Sequence, residues 1–286
     1  MEHELIRISL AVAACALGAY YDIKNNRNVP NWVTYSFVAI GVFINAIPFD
    51  LSFILPVFAV SALIFIVGYL FYRLGQIGGA DVLLFTGVSL ALPYPPSHLS
   101  STLFEYPFIL PVFVVSGVLF SIAMLIAYVP RIFADVRARK VKTSPYGVLL
   151  SLIMLLAYTA VIYMLAQILP LRPLQILILV IVVFSAVFFM LFREHITENY
   201  VIEYVSLEEV DEEDVLALEK IDSKTISQYS LKRLLTASEI ERLKRTPVAK
   251  MRLPVCKNMP MFAPYLLLSL LINLVIDPSL LFAPAF

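Results

Sequence analysis

The sequence predicts an all-α polytopic membrane protein, with about eight transmembrane helices and a small cytosolic α+β insertion before the last helix. Hydrophobic residues make up 60% of the 286 positions and charged residues 15%. The mean hydropathy is +0.88, which is typical of a chain that lies mostly in lipid. The apolar residues are also collected into eight separate segments, each of which predicts a helix.

The eight apolar segments differ in length. A helix that crosses a bilayer needs about 20 apolar residues, with a range of about 17–25. The third, fifth, sixth and seventh segments reach that length, whereas the second, fourth and eighth are short. In chain order the segments cover roughly residues 5–21, 32–49, 51–72, 82–96, 108–129, 147–169, 174–192 and 261–276.

The distribution of basic residues predicts that the short segments cross as well. If all eight cross and the N-terminus lies outside, every Lys and Arg except Arg7 and Arg172 falls on the cytosolic side. If the fourth segment did not cross, the basic cluster 131–142 would lie outside, against the positive-inside bias. The prediction is a multi-pass protein of the cell membrane with residues 193–259 in the cytosol.

Hydropathy and charge divide the chain into four parts. Residues 1–130 form a membrane core of about five helices. Residues 131–192 comprise a basic cytosolic loop and an additional transmembrane hairpin. Residues 193–259 form a charged cytosolic subdomain, and residues 260–286 contain the C-terminal transmembrane helix.

The charges of the cytosolic segment are segregated. Residues 194–222 carry eleven acids and one Lys, whereas residues 223–257 carry nine basic residues and two acids. Residues 200–207 can form a strand, and a capping box from Thr236 to Glu239 predicts a short helix that ends at about Arg245. Two interpretations are open: the halves pair with each other, or the basic half lies on anionic headgroups while the acidic half attracts a basic substrate.

Two aspartates mark the candidate site. Asp22 ends the first apolar segment and Asp81 begins the fourth, on the same predicted side of the membrane. A carboxylate at a membrane boundary is costly and is a functional candidate by default. Two carboxylates that share a site cannot both ionise easily, so the pair holds one proton and can supply both a base and an acid. This chemistry requires that the first and fourth helices are neighbours.

The helix ends predict which aspartate is ionised. Asp22 lies at the C-terminus of a helix, where the macrodipole disfavours a negative charge. Asp81 lies near the N-terminus of a helix, where the macrodipole favours a negative charge. We therefore expect Asp81 to be the ionised member, although the titration of a coupled pair belongs to both groups. Each residue also has a structural interpretation, Asp81 as a helix N-cap and Asp22 as an ordinary boundary residue.

Glycines precede the second aspartate. Gly78 and Gly79 remove two side chains next to Asp81, which allows close approach of an extended peptide backbone. They are also compatible with a simple loop.

Residues after the first aspartate form a second group. Pro30 favours an extended turn, and Asn31 can cap the second helix. Lys24 and Arg27 can hold Asp22 by charge, contact lipid phosphates, or act as topology determinants.

No metal, cofactor or nucleic acid is predicted. Cys15 lies in an apolar segment and Cys256 in a basic tract, and the three histidines are far apart in the sequence. None of these residues has a second ligand at metal-binding spacing.

The two aspartate motifs together resemble the type IV prepilin peptidases, in particular the archaeal prepilin and preflagellin branch of these GxGD membrane aspartyl proteases. The first motif of that family reads roughly Asp-x-(Lys/Arg)-x-x-(Arg/x)-x-(Ile/Val)-Pro-Asn. It is matched in order by Asp22, Lys24, Arg27, Val29, Pro30 and Asn31. Gly78 and Asp81 match the second motif, Gly-x-Gly-Asp, with Ala80 in place of the second glycine.

The resemblance implies that Asp22 and Asp81 are the catalytic pair of an aspartic endopeptidase. It implies membrane-inserted precursors as partners, archaellin-like or pilin-like, whose short basic leader (class III signal) peptide precedes an apolar helix and is cut at the cytosolic face of the bilayer. Bacterial members that also methylate the product carry a four-cysteine loop, which this chain lacks, so we expect a protease without methyltransferase activity. The particular precursor and the oligomeric state are left open.

Two other functions remain as alternatives. A presenilin-like or signal-peptide-peptidase-like protease would use Tyr21 and Asp22 in a similar motif, but its later Pro-Ala-Leu is approached only by residues 284–286. A transporter that binds protons or cations could use the same carboxylates. A purely structural membrane scaffold would explain neither motif.

Overall fold

Apolar helices account for most of the chain. The computed structural model describes residues 2–25, 29–47, 50–75, 77–99, 106–141, 143–168, 170–212, 214–257 and 260–277. Each of the eight apolar segments contains a helix within these ranges. The helices are α1 (Glu2–Lys24), α2 (Asn31–Ala46), α3 (Leu51–Arg73), α4 (Gly79–Ala91), α5 (Ile109–Arg137), α6 (Pro145–Ile168), α7 (Pro173–Leu191), α8 (Arg193–Ile196), α9 (Ser223–Tyr229), α10 (Ala237–Lys244) and α11 (Ala263–Val275).

The lengths of the helices support a membrane protein. Within the described ranges, α1, α3, α5, α6 and α7 are long and apolar enough to cross a bilayer. The apolar helices α2, α4 and α11 are shorter. The predicted helical class is therefore confirmed, and the count of eight crossings stays a prediction.

The short helix α4 lies at the centre of the bundle. It contacts α1, α2, α3 and α5, while α11 packs against α1 and α5. Nine of its 13 residues are buried. Residues from α1, α2, α4, α5 and α11 form one hydrophobic core, so α11 packs with the first five helices although it follows the charged segment in sequence.

Glycines allow these helices to approach closely, as small residues do in membrane bundles. A Cβ atom would lie 2.8 Å from a neighbouring side chain at Gly18 and Gly41, 2.7 Å at Gly68 and 2.3 Å at Gly87. The side chains met are respectively Leu84, Leu90, Val82 and Phe37.

The contacts also give helix directions. Phe37 of α2 lies next to Gly87 of α4, and Gly41, one turn later in α2, lies next to Leu90, later in α4. Helices α2 and α4 therefore run in the same direction. Ser61 of α3 hydrogen-bonds Ser89 of α4 at 2.9 Å. Gly68, later in α3, lies next to Val82, earlier in α4, so α3 runs in the direction opposite to α4.

Two side chains hydrogen-bond the last carbonyls of α4. Asn45 Nδ2 donates to the carbonyls of Leu90 and Gly41, both at 2.7 Å. Arg7 Nη1 donates to the Ala91 carbonyl at 3.2 Å and to Asn45 Oδ1 at 2.9 Å. A helix of this length rises about 20 Å, which is less than the bilayer core of about 30 Å. Its terminal carbonyls therefore need partners supplied by the protein.

We expect Asn45→Leu to lower the free energy of unfolding by about 2–4 kcal/mol, because it leaves the Leu90 carbonyl with only a long hydrogen bond of 3.5 Å from Arg7 and removes the Asn45 Oδ1 acceptor from the Arg7 guanidinium. Thermal unfolding in detergent measures the effect. Ser36→Leu on the same helix is the control, since Ser36 is exposed and bonds only within α2. Equal unfolding temperatures for both variants would contradict the prediction.

Two short strands and small helices make up the charged segment. β1 (Glu203–Val205) and β2 (Leu253–Val255) pair antiparallel, with Tyr204 opposite Pro254. β1 falls within the predicted strand 200–207. Buried apolar side chains from residues 205–255 form a separate hydrophobic core.

The predicted capping box is only half formed. Thr236 is the N-cap of α10 and accepts a hydrogen bond from the N–H of Glu239 at 3.4 Å. The Glu239 carboxylate instead pairs with Lys232 and Arg242. The hydrogen bond from Lys232 holds the pKa of Glu239 below its usual range.

Oppositely charged side chains pair between the two halves of this segment, as the first interpretation of its charge segregation predicts. Lys257 lies 2.8 Å from Asp211 and 3.1 Å from Asp214. Arg233 pairs with Glu219 at 3.2 Å. These pairs are partly exposed, so each contributes about 0–1 kcal/mol.

The additional hairpin joins the bundle through α5. Helix α7 packs against both α6 and α5. Just beyond it, His195 and Tyr200 both hydrogen-bond the Asp135 carboxylate near the end of α5. This contact anchors the start of the charged segment to the bundle.

Candidate active site

Asp22 is buried at the end of α1 and binds the start of α11. Its Oδ2 accepts hydrogen bonds from the backbone N–H groups of Phe262 and Ala263, both at 3.1 Å. Only 5% of the residue is exposed. The first N–H groups of a helix have no partner within that helix, so the Asp22 carboxylate caps α11.

Asp81 is the third residue of α4. Gly78 is the N-cap and Gly79 the first helical residue, so the interpretation of Asp81 as the N-cap is wrong. The Gly78 N–H donates to the Asp81 carboxylate. A Cβ on Gly78 would lie 3.1 Å from Asp81 Oδ2, so glycine at this position leaves room for the carboxylate to fold back over the helix start.

The structure brings the two aspartates together. Helices α1 and α4 are in contact, and Gly18 meets Leu84, about one turn from each aspartate. The carboxyl groups of Asp22 and Asp81 interact electrostatically. The condition set by the sequence, that the first and fourth helices are neighbours, is met at what we call the aspartate end of the bundle.

The environment of Asp22 differs from the sequence-based expectation. That expectation considered only the C-terminus of α1, which disfavours a negative charge. The carboxylate also faces the N-terminus of α11, where two N–H donors and the positive end of a helix dipole stabilise a charge. The helix ends therefore no longer select Asp81 as the ionised member.

The residues of the first motif are placed differently from one another. Pro30 is the N-cap of α2 and Asn31 its first helical residue, so the predicted cap at Asn31 is wrong by one position. The Lys24 ammonium lies 5.7 Å from the centre of the Tyr20 ring, which is cation–π geometry. Arg27 lies outside the described residues.

An aromatic cluster joins the two halves of the site. Phe85, one turn after Asp81, has its ring 5.6 Å from that of Phe262, whose N–H binds Asp22. The Phe120 ring of α5 lies 5.3 Å from Phe262. This cluster was not predicted from the sequence, which places Phe85 four residues after Asp81 but does not connect it with α5 or α11. Its members are Phe85, Phe113, Phe120, Phe262 and Tyr265.

The charged segment adjoins the loop before Asp81. Gly75 has a φ of +68°, and a Cβ there would lie 3.0 Å from Val215 and 3.6 Å from Arg233. The connection from α3 to α4 therefore rests on this segment. Among the described residues, no group of three or more His, Cys, Asp or Glu side chains is arranged to hold a metal ion.

A bundle of apolar helices with two interacting carboxyl groups at one end defines a polytopic membrane protein with an acidic site. Residues 9–129 match the model of the Type IV leader peptidase family, and the family predicted from the motifs is thereby confirmed for this part of the chain. The prepilin peptidase EppA of Methanothermobacter thermautotrophicus is 32% identical over 138 residues, which is 44% of this chain. The match covers 35% of that relative's length. No solved structure matches the chain.

Proposed function

We propose that this protein is a membrane aspartic endopeptidase that removes the leader peptide from prepilin-like or archaellin-like precursors at the cytosolic membrane face. The observation that carries the proposal is the meeting of Asp22 and Asp81 at the aspartate end. Both residues lie within the part of the chain that matches the leader peptidase family. The name of the similar prepilin peptidase supports the same class of substrate.

The two carboxyl groups divide the chemistry of hydrolysis. Asp22, held by the N–H groups of Phe262 and Ala263, is the carboxylate that takes a proton from water. Asp81 carries the shared proton and donates a hydrogen bond to the scissile carbonyl as the water oxygen attacks its carbon. Breakdown of the tetrahedral intermediate breaks the C–N bond, and the proton taken by Asp22 passes to the leaving amine.

The membrane arrangement in this proposal has eight crossings, with the N-terminus outside and the aspartate end in the cytosol. The directions of α2, α3 and α4 alternate as such crossings require. The near-absence of Lys and Arg from the outside loops supports the same orientation. In this arrangement the charged segment lies on the side from which a basic leader would approach.

Cleavage of a purified precursor tests the proposal. We expect Asp22→Asn and Asp81→Asn each to slow removal of a basic leader by about 10³-fold or more, because each removes one member of a pair that acts as a unit. The assay follows the shortened product by gel mobility and confirms the cut by mass spectrometry. Asp50→Asn is the matched control, since Asp50 caps α3 at its first residues, and it should leave the rate unchanged.

Retained cleavage in either aspartate variant would exclude the dyad. The rate should also be insensitive to a chelator, since no metal takes part in the proposed step. Proton or cation flux across the membrane of reconstituted vesicles, in the absence of precursor, would instead favour the alternative function as a transporter. The family match of residues 9–129 favours leader peptidase over both alternatives.

A further inference from the structure

Packing among the described residues does not explain one of the helix glycines. Gly18, Gly41, Gly68 and Gly87 each face a side chain that leaves no room for a Cβ. Gly117 of α5 differs, because, apart from its two chain neighbours and the nearby backbone of its own helix, no atom of the described residues lies within 4 Å of the position of its Cβ. Glycine inside a helix costs about 0.5–1 kcal/mol relative to alanine, and nothing in the described structure compensates for that loss.

Gly117 lies between two members of the aromatic cluster. Phe113 is four residues before it and Phe120 three residues after it, so the three share one face of α5. The Phe113 ring lies 5.6 Å from Phe85, and the Phe120 ring lies 5.3 Å from Phe262. We call Phe113, Gly117 and Phe120 the Gly117 notch.

The notch extends from the aspartates towards lipid. Phe120 contacts Phe262, which binds Asp22 through its N–H. Phe113 lies further along, and 60% of it is exposed. The surface is therefore continuous from the aspartate end to the outer face of α5.

We propose that the Gly117 notch binds the apolar helix of the precursor and that Gly117 is the point where this helix crosses α5. The inference rests on the proposed function, in which the bond to be cut lies at the dyad. The apolar helix follows the leader, so it must leave the dyad along an apolar surface that opens to lipid. A glycine at the crossing allows the two backbones to approach closely.

Filling the notch tests the proposal. Gly117→Leu should lower kcat/KM for a full-length precursor at least about tenfold, mainly through KM, because the leucine occupies the space of the substrate helix. A soluble peptide that spans the leader junction but lacks the distal helix should be cut at the wild-type rate. Ala127→Leu, an exposed position on the same helix, is the matched control and should cut both substrates normally.

Stability measurements separate docking from folding. Leucine is a better helix former than glycine and Gly117 has room for a Cβ, so the unfolding temperature of Gly117→Leu should equal or exceed that of the wild type. A Gly117→Leu variant that unfolds earlier, or that cuts the precursor as fast as the wild type does, overturns the inference.

Other outcomes locate a failure. If the wild-type protein cuts neither substrate, the proposed function fails. If it cuts both and Gly117→Leu slows them equally, the residue acts on the dyad and the docking proposal is wrong. If Gly117→Leu changes the oligomeric state in light scattering without substrate, the notch is a contact between copies of this chain.

Discussion

Asp22→Ala is expected to lower the free energy of unfolding by about 2–4 kcal/mol in addition to abolishing cleavage. The Asp22 carboxylate accepts two buried N–H groups at the start of α11. Hydrogen bonds to a charged group contribute about 1.5–3 kcal/mol each, and an unsatisfied buried donor costs about 1–3 kcal/mol. Alanine leaves both donors without a partner and loosens α11 from α1.

Asp81→Ala should abolish cleavage with little loss of stability. Its carboxyl group accepts a hydrogen bond from the backbone N–H of Gly78 and interacts electrostatically with the carboxyl group of Asp22. Removing it therefore loses one hydrogen bond, and it also removes the cost of keeping two carboxyl groups in a site where only one can ionise easily.

Thermal unfolding of both alanine variants in the same detergent measures this difference, and the cleavage assay runs in parallel. Asp22→Asn keeps an acceptor oxygen and should unfold between Asp22→Ala and the wild type. If Asp22→Ala and Asp81→Ala unfold at the same temperature, Asp22 does not hold α11.

Most of the helical architecture could be predicted from local sequence. Long apolar runs such as 51–72 and 174–192 exclude most other structures, and the helices found there differ by only one or two residues at their ends. The two motifs also placed both aspartates at helix ends. These features depend on neighbouring residues, which a single sequence contains.

The partner of Asp22 could not be predicted in this way. Phe262 and Ala263 are 240 and 241 residues away along the chain, and no local pattern joins them to α1. The expectation for the charge on Asp22 was incomplete because it treated α1 as an isolated helix. The same reason explains the aromatic cluster, whose members come from α4, α5 and the start of α11.

Gly87→Ala is expected to destabilise the bundle by about 1–3 kcal/mol, the usual range for overpacking a filled core. The added Cβ would lie 2.3 Å from Cδ1 and 2.4 Å from Cε1 of Phe37. Phe37 is only 2% exposed, so its ring cannot turn away without displacing α2 from α4. Because α4 carries Asp81, the cleavage rate should fall together with the unfolding temperature.

The double variant Phe37→Leu/Gly87→Ala distinguishes this clash from the general effect of a mutation in α4. Leucine vacates part of the space that the new methyl group needs, so the two changes should cost less together than the sum of their separate effects. Gly117→Ala is the control for helix propensity and should gain about 0.5–1 kcal/mol, since no clash opposes it. Additive losses in the double variant would mean that contact with Phe37 is not the reason for glycine at position 87.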